Sequence, residues 1–313
     1  MTLRIGVDVG GTKILGVALD DLGREVARVR RPTGWGLDAV ADGIAAVVGE
    51  LRGVAGDGSD GAADGLLGGP VAAVGVGIPG QIRPGSGIVE HALNLGIERG
   101  DLAAAVAART GIRPVVDNDV RCAAVGARSL LPGLDTLAYV NLGTGIAAAI
   151  VGADGPWRGA HGAAGEIGHV SIDPAGPRCR CGQRGCIEAF AGGGAVAARW
   201  GATDDLPVRA VFDTADAGDA RALELRRDLV RAVAAAAQLL VLTADVDAVV
   251  VGGGVAALGE RLLAPVRTAL ASASAASPFL RSLRLDDRIV PVPAGVAVGA
   301  LGAALTAPAP APA

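Results

Sequence analysis

One sequence pattern occurs twice in the chain, first as IGVDVGGTKILGVALDDLG at residues 5–23 and again as AYVNLGTGIAAAIVGADG at residues 138–155. Each copy has an apolar run, a turn of Gly and Thr, a second apolar run and an acidic turn, which is typical of a β-hairpin. Aligned, the copies place Asp8 opposite Asn141. Two hairpins can match by chance, but both copies continue into helix and strand patterns. We therefore expect two related α/β halves.

The rest of the chain continues the α/β pattern. The predicted elements are a third strand at 24–32, a helix at 37–51, a buried strand at 71–79, a helix at 101–111 closed by Gly111, a helix at about 219–242, a strand at 247–251, a helix at 255–272, a short strand at 288–292 and a final alanine-rich helix. A Gly- and Asp-rich stretch at 53–70 predicts a flexible loop. We expect an N-terminal domain at 1–118, a C-terminal domain at 119–295, and residues 296–313 as a helix that packs back on the N-terminal domain and ends in a frayed tail.

Composition favours a protein that binds small molecules. The net charge of −4 and an aromatic content of 2% argue against a nucleic-acid surface, which needs a basic face with stacking aromatics. The N-terminal sequence contains no secretory signal pattern. The longest apolar run, residues 232–244, is interrupted by Gln238 and is shorter than the ~20 residues that a membrane-spanning helix needs. We expect a cytoplasmic protein without a membrane partner, in which paired disulfides are uncommon.

Glycines directly follow apolar strands at three places. Glycine lets backbone N–H groups approach an anion, so each turn could hold phosphate, although an ordinary tight turn explains any one of them alone. Three such turns favour a nucleotide site, with Mg²⁺ near Asp8 and the terminal phosphates near Thr12 and Lys13, the only lysine. The predicted phosphate-binding residues are Asp8, Gly10, Gly11, Thr12, Lys13, Gly143, Thr144, Gly145, Gly252, Gly253 and Gly254.

Two matches to the dinucleotide-binding pattern are weak. The glycines at residues 75–80 precede a Pro- and Gly-rich stretch instead of a helix, and residues 252–257 lack an acidic residue about 20 positions later. A dinucleotide oxidoreductase is therefore disfavoured.

The segment VVDNDV, residues 115–120, places two polar side chains at the end of a predicted strand. Asn118 and Asp119 could simply cap the helix that follows. Alternatively, Asn118 binds a hydroxyl of the acceptor and Asp119 takes its proton, a role typically worth ~10²- to 10⁴-fold in rate.

Three of the four cysteines lie within RCRCGQRGCIE, residues 178–188. Residues two apart in a strand point to the same side, so Cys179 and Cys181 can face one ion, and Gly182 and Gly185 allow the chain to reverse. Three thiolates and one imidazole form a closed tetrahedral Zn²⁺ site, which is structural because no position remains for water. Free cysteines beside a coincidental histidine are the alternative. The candidate ligands are His169, Cys179, Cys181 and Cys186.

These motifs together resemble the ROK family of sugar kinases and related repressors, and are most similar to its bacterial glucokinases. The resemblance extends from VDVGGTK through GVGIPG, VVDND, LGTG, HGAAGEIGH, CRCGQRGCIE and VVVGGGV to VAVGALGAAL. It implies the actin-like, ribonuclease-H-like fold, in which two α/β domains have a nucleotide and sugar cleft between them. It also implies ATP with Mg²⁺, a hexose acceptor, structural Zn²⁺ and a homodimer.

The resemblance further implies roles for individual residues. Asp119 is the general base, and Zn²⁺ is bound by the four candidate ligands. Two departures from the family pattern stand out: Arg121 places a bulky cation beside the base, and residues 147–149 are alanines where relatives have glycines. The implied sugar-binding residues are Asn94, Asn118, Asp119, Glu166, His169 and Glu188.

Phosphorylation of glucose at the 6-hydroxyl is the function that we expect. The alternatives are a ROK kinase for N-acetylmannosamine, N-acetylglucosamine, fructose or allose, and a sugar-binding protein without catalysis. ATP and polyphosphate are both compatible with the motifs as phosphoryl donor. The repressor branch is disfavoured because the first predicted strand begins close to Met1, which leaves no room before it for a helix-turn-helix.

Overall fold

The computed structural model describes residues 2–53, 70–83, 85–201 and 206–308. The predicted loop, apart from its two ends, and the predicted tail from residue 309 lie outside the described residues. The chain divides into two compact units. Unit 1 comprises Met1–Pro132, Arg158–Ala163 and Gly295–Ala313, and unit 2 comprises Gly133–Trp157 and Ala164–Ala294.

Strands and helices alternate through both units. The elements up to residue 129 are β1 (Leu3–Val9), β2 (Lys13–Leu19), β3 (Glu25–Pro32), α1 (Leu37–Gly53), β4 (Val71–Ile78), β5 (Gln81–Ile82), β6 (Ile88–Ala92), β7 (Ile97–Asp101), α2 (Leu102–Thr110), β8 (Val115–Asn118) and α3 (Asp119–Ser129). The elements after it are β9 (Leu137–Leu142), β10 (Ile146–Gly152), β11 (Gly155–Pro156), α4 (Ile187–Ala191), α5 (Gly193–Trp200), α6 (Pro207–Asp216), α7 (Ala220–Ala244), β12 (Ala248–Gly252), α8 (Glu260–Ser274), α9 (Pro278–Ser282), β13 (Ile289–Pro291) and α10 (Val298–Thr306).

The two five-stranded sheets have the same topology. The strand order is β3-β2-β1-β4-β8 in unit 1 and β11-β10-β9-β12-β13 in unit 2. In each sheet the first three strands in sequence form an antiparallel meander, and the last two run parallel to the first. The repeated hairpin pattern therefore predicted a real pair of related α/β sheets.

Helices cover both faces of the unit 1 sheet. The apolar side of α1, including Val40, Ile44 and Val47, is fully buried in the unit 1 core. The C-terminal helix α10 packs at backbone distance, because a Cβ on Gly6 would overlap the carbonyl oxygen of Ala300. Helix α10 thus lies in unit 1, as expected for the C-terminal segment.

The observed division of the chain differs from the expected boundary after residue 118. Helix α3 belongs to unit 1, because its Gly126 and the Gly302 of α10 let the two helix backbones come close together. A Cβ on Gly302 would overlap the carbonyl oxygen of Cys122. Residues 158–163 also belong to unit 1, although the segments on both sides of them belong to unit 2.

In unit 2 the core lies between the sheet and the helices α6, α7 and α8. The long helix α7 begins at the predicted place, because the side chain of Asp219 caps it by accepting from the amide of Ala222 across 2.8 Å. The predicted continuous helix at 255–272 is wrong. A 3₁₀ turn at Val255–Leu258 ends at Gly259, whose φ of 58° breaks the helix before α8.

Among the described residues, no helix combines the length and the apolar character needed to cross a membrane.

Candidate active site

The first predicted phosphate-binding turn, residues 10–12, closes the hairpin of β1 and β2 in unit 1 and is called the first phosphate turn. The amide of Gly10 donates to the carbonyl of Lys13 across 2.9 Å. Thr33 stabilises the turn, because its Oγ1 donates to the carbonyl of Gly10 across 2.7 Å. A Cβ on Gly11 would lie 3.5 Å from Nδ2 of Asn94. The structure therefore brings a predicted sugar-binding amide next to the first phosphate turn.

Asp8 precedes this turn, and its carboxyl group lies against the start of α10. A Cβ on Gly299 would lie 2.6 Å from Oδ2 of Asp8. The pKa of Asp8 is raised from 3.8 to about 7, mainly by burial and then by the negative charge of Asp119, while Lys13 acts in the opposite direction. Asp8 and Asp119 thus place two carboxyl groups near each other, and carboxylate oxygens are ligands that Mg²⁺ prefers. These residues fit the predicted Mg²⁺.

Asn118 caps helix α3 and also contacts the end of β4. Its Oδ1 accepts from the amides of Val120 and Arg121 across 3.0 and 3.2 Å, and its Nδ2 donates to the carbonyl of Gly80 across 3.1 Å. Since the amide has two hydrogens, a second donor is available for a ligand. Asp119 is the next residue. The hydrogen bonds at both ends of the Asn118 side chain therefore also fix the backbone from which the Asp119 side chain extends.

The guanidinium of Arg121 is buried and paired, unlike the bulky cation beside the base that the sequence suggested. Its Nε donates to Oδ1 of Asp117 across 2.7 Å, and its Nη1 donates to the carbonyl of Gly162 across 3.2 Å. The other oxygen of Asp117 bonds to Arg158. Sequence analysis missed this network, although oppositely charged residues four positions apart at the start of a helix are a readable signal.

The second predicted phosphate-binding turn, residues 143–145, lies between β9 and β10 in unit 2 and is called the second phosphate turn. The amide of Gly143 donates to the carbonyl of Gly145 across 3.1 Å. The amides of Gly193 and Gly194, at the start of α5, donate to the carbonyls of Gly143 and Thr144 across 2.8 and 2.9 Å. This attachment of α5 to the turn was not predicted, because the partners lie 50 residues apart in the sequence.

Glu188 connects the second phosphate turn to the loop that carries the three clustered cysteines, residues 178–186, which is called the cysteine loop. It lies in the first turn of α4, two residues after Cys186. Its Oε2 accepts from the amide of Ile146 across 2.9 Å, and a Cβ on Gly145 would lie 2.5 Å from the same oxygen. The carboxylate predicted to bind sugar is therefore held at the turn predicted to bind phosphate.

The segment GEIGH is held against β10 by close backbone contact. The amide of Ala148 donates to the carbonyl of Gly165 across 2.8 Å. A Cβ on Gly165 would overlap the carbonyl of Ala148, and one on Gly168 would overlap the carbonyl of Ile146. These glycines bring the residues that directly follow them, Glu166 and His169, next to β10.

The imidazole of His169 has a different neighbour at each nitrogen. Its Nδ1 lies 3.8 Å from Sγ of Cys179, and its Nε2 lies 3.9 Å from Oε2 of Glu166. One nitrogen can therefore bind a metal while the other faces a carboxylate, an arrangement that orients metal-ligating histidines in many proteins.

The predicted metal ligands lie together. Their ligand atoms all lie within 4.8 Å of one another. The Sγ atoms of Cys181 and Cys186 are 3.7 Å apart, and two thiolates ~2.3 Å from a tetrahedral Zn²⁺ are about 3.8 Å apart. Gly182 and Gly185 have φ values of 95° and 70°, which favour glycine and reverse the chain as expected. The residues present fit Zn²⁺.

The protonation of the thiols depends on their surroundings. Hydrogen bonds from the amide and side chain of Gln183 lower the pKa of Cys181 to about 6. Burial, followed by contacts with the other two thiols, raises the pKa of Cys186 to about 12. Deprotonation of Cys186 near neutral pH therefore requires a nearby cation, which Zn²⁺ would supply when bound.

The third glycine turn and the alanines of β10 also lie near the end of β9. A Cβ on Gly253 would lie 2.6 Å from Oδ1 of Asn141. Ala148 and Ala149 are buried within unit 2, and only Ala147 is partly exposed. Of the three alanines where relatives have glycines, Ala147 is thus the one that could meet a ligand.

Comparison with known proteins identifies the family. The family model described as ROK family matches residues 4–309. The chain belongs to the ROK family. This ROK protein is 30% identical to the glucokinase of Halalkalibacterium halodurans, over 84% of this chain and 83% of that relative. It is 31% identical to an N-acetylmannosamine kinase of Escherichia coli, over 87% of this chain and 89% of that relative.

A solved ROK structure supports the fold. The ROK family glucokinase of Streptomyces griseus, in complex with glucose and AMPPNP, has a TM-score of 0.74 and 30% identity, and the match covers 97% of this chain and 99% of that chain. The ROK protein described here therefore has the actin-like α/β fold that the sequence predicted.

Proposed function

We propose that this ROK sugar kinase transfers a phosphoryl group from ATP to the 6-hydroxyl of glucose. The observation that carries the proposal is the position of Glu188, whose Oε2 lies at the second phosphate turn while its helix begins at the cysteine loop. A kinase needs sugar and phosphate contacts next to each other, because phosphoryl transfer depends mainly on positioning and charge neutralisation. The glucokinases among the relatives favour glucose.

Asp119 is the proposed general base. It accepts the proton of the sugar hydroxyl as the oxygen attacks the terminal phosphate, and the second N–H of Asn118 donates to the same sugar. The anchored cap of α3 keeps both side chains in place during this step.

The proposed roles of the remaining side chains follow from their chemistry. Glu166 and Glu188 accept hydrogen bonds from sugar hydroxyls, and Asn94 donates or accepts beside the first turn. The glycine turns bind phosphate oxygens through backbone N–H groups, with Lys13 as a point charge. Mg²⁺, when bound near Asp8, neutralises charge on the donor, and Zn²⁺, when bound by the cysteine loop and His169, orders the segment between Glu166 and Glu188.

N-acetylmannosamine is the second candidate acceptor, because a kinase for this sugar is 31% identical over most of the chain. An N-acetyl group at position 2 adds bulk and a carbonyl acceptor, so the two acceptors make different demands on the residues around the second hydroxyl. Ala147 pairs with Asn141 between β9 and β10 and is partly exposed, so its methyl group is available to contact a bound sugar.

A panel of sugars tests the proposal directly. ADP release is measured with glucose, N-acetylmannosamine, N-acetylglucosamine, fructose and allose, each with and without Mg²⁺. The expected result is Mg²⁺-dependent turnover with the highest kcat/KM for glucose, and a product that is phosphorylated at oxygen 6 by NMR. A higher kcat/KM for N-acetylmannosamine would establish the second candidate, and binding of sugar without turnover by the Mg²⁺-loaded protein would refute kinase activity.

A further inference from the structure

A cavity of about 200 Å³ lies in unit 2 beside the second phosphate turn. Thr144 and Gly145 form its wall on the side of the turn, and the cysteine loop and α5 enclose the rest. Three arginines, Arg178, Arg180 and Arg199, line it. None of these arginines belongs to the proposed machinery for binding sugar, Mg²⁺ or Zn²⁺.

Two of the three arginines lack a protein partner. In the part of the chain that the structure describes, the guanidinium groups of Arg178 and Arg180 make no hydrogen bond or ion pair, and both side chains are exposed. Arg180 is nevertheless directed toward the turn, because a Cβ on Gly194 would lie 3.9 Å from its Nη2 and 3.1 Å from Cγ2 of Thr144. In the segment Arg178-Cys179-Arg180-Cys181, each of the two arginines directly precedes a predicted metal ligand.

The third arginine has a buried donor without an acceptor. Nη2 of Arg199 donates to Asp228 across 2.5 Å, and its guanidinium stacks on Phe190 at 5.7 Å. Its Nη1 is buried and has no hydrogen-bond partner among the described residues. A buried donor without a partner is unusual in a native structure, and a bound water or anion can supply the acceptor.

Among the described residues that line the cavity, Glu188 alone carries a carboxylate, and this carboxylate already accepts from the amide of Ile146. The lining of the cavity therefore combines three arginines with one carboxylate and a threonine. Guanidinium groups bind phosphate oxygens in pairs of parallel hydrogen bonds, which makes a phosphate group the best-matched anion.

We propose that this arginine-lined cavity is a subsite for a phosphate group, continuous with the second phosphate turn and supplied by the cysteine loop. The subsite gives the arginines of the cysteine loop a role in anion binding that is separate from the structural role of its cysteines. Its occupant carries a phosphate group, and the assignment of that group to the phosphoryl donor rests on the proposed kinase function.

Calorimetric titration of the zinc-loaded protein with tripolyphosphate tests the subsite without any need for turnover. The double variant Arg178→Gln/Arg180→Gln is expected to bind tripolyphosphate about 10-fold or more weakly, since a charge-assisted hydrogen bond is lost at each position. Arg209→Gln is the matched control, because Arg209 is an exposed arginine of unit 2 outside the cavity. Zinc content is measured for each protein to show that the loop is intact.

The same variants then identify the source of the phosphate. An increase in the KM for polyphosphate alone identifies polyphosphate as the occupant, and an equal increase for ATP identifies the nucleotide's own phosphates. Weaker inhibition by inorganic phosphate, with both KM values unchanged, identifies free phosphate. Equal tripolyphosphate affinity in the wild type, the double variant and Arg209→Gln, or no binding to any of them, would overturn the subsite. A protein that binds tripolyphosphate through these arginines but phosphorylates no sugar would refute the kinase function and leave the subsite established.

Discussion

The two five-stranded sheets share a strand order but differ in the polar group near the end of their first strand. In unit 1 this group is Asp8, a carboxyl group whose pKa is raised to about 7 beside Asp119. In unit 2 the corresponding residue is Asn141, a neutral amide that lies against Gly253. The same scaffold thus holds two neighbouring carboxyl groups in unit 1, whereas unit 2 holds Glu188 and a thiol cluster.

The two units also differ in what holds these groups in place. Unit 1 packs α10 against its sheet at backbone distance, through glycines such as Gly6 and Gly75. Unit 2 uses the cysteine loop, in which the amide of Ile187 donates to the carbonyl of Val170 across 3.0 Å and the amide of Ile172 donates to the carbonyl of Gly185 across 2.8 Å. Under the proposed roles, the base Asp119 belongs to unit 1, and the sugar-binding carboxylates Glu166 and Glu188 belong to unit 2.

Replacement of the proposed base should have the largest effect and should act on kcat. Asp119→Asn removes the proton acceptor, so we expect kcat to fall by ~10²- to 10⁴-fold while the sugar affinity measured by titration stays close to the wild type. Asp154→Asn, in the exposed acidic turn of the unit 2 hairpin, is the control and should keep full turnover. A wild-type kcat in Asp119→Asn would show that unit 1 does not supply the base.

Removal of a metal ligand should act on KM instead. Cys181→Ser is expected to lose Zn²⁺ and to raise the sugar KM by ~10- to 100-fold, because the loop no longer holds Glu166 and Glu188 in place. Cys122→Ala, which changes the one cysteine outside the cluster, should keep stoichiometric zinc. Zinc content by atomic emission and steady-state kinetics measure the two effects, and a zinc-free Cys181→Ser with normal KM would contradict a structural metal.

A methyl group between α3 and α10 should destabilise unit 1. Gly302→Ala places a Cβ onto the carbonyl oxygen of Cys122, and overpacking of this kind typically costs about 1–3 kcal/mol in the free energy of unfolding. Gly49→Ala in α1 is the control, because no atom lies within 4 Å of its added Cβ and alanine favours a helix. Denaturant unfolding monitored by circular dichroism measures both, and equal stability of the two variants would show that α3 and α10 separate easily.

The charge difference between Asp8 and Asn141 should appear in the pH dependence of stability. Because folding raises the pKa of Asp8 from 3.8 to about 7, its contribution to stability is fully present below about pH 4 and is lost as the pH rises to about 7. In Mg²⁺-free buffer, Asp8→Asn should remove this loss. Thermal unfolding from pH 4 to pH 8 measures the slope, which added Mg²⁺ should reduce in the wild type only. An unchanged slope in Asp8→Asn would assign it to other groups.

Much of the fold follows from patterns that span a few residues. The hairpins, the start of α7 near residue 219, the Gly111 end of α2 and the reversals at Gly182 and Gly185 were all predicted, because neighbouring residues determine these conformations. The prediction of one continuous helix at 255–272 was wrong because neighbouring residues did not reveal the conformation of Gly259. A glycine within a helical pattern is tolerated in many helices, and the φ of 58° at Gly259 is a choice that the pattern does not reveal.

The sequence by itself determined the repeated α/β hairpins, the glycine turns and the set of thiol and imidazole ligands, because each depends on residue types and spacings within a short segment. Tertiary structure alone decided that Asp117 also pairs with Arg158, that Glu188 accepts from the amide of Ile146, and that Arg180 lies near Gly194 and Thr144. The physical reason is that these pairings are selected by burial and charge after distant segments have packed, so their partners leave no common local pattern in the chain.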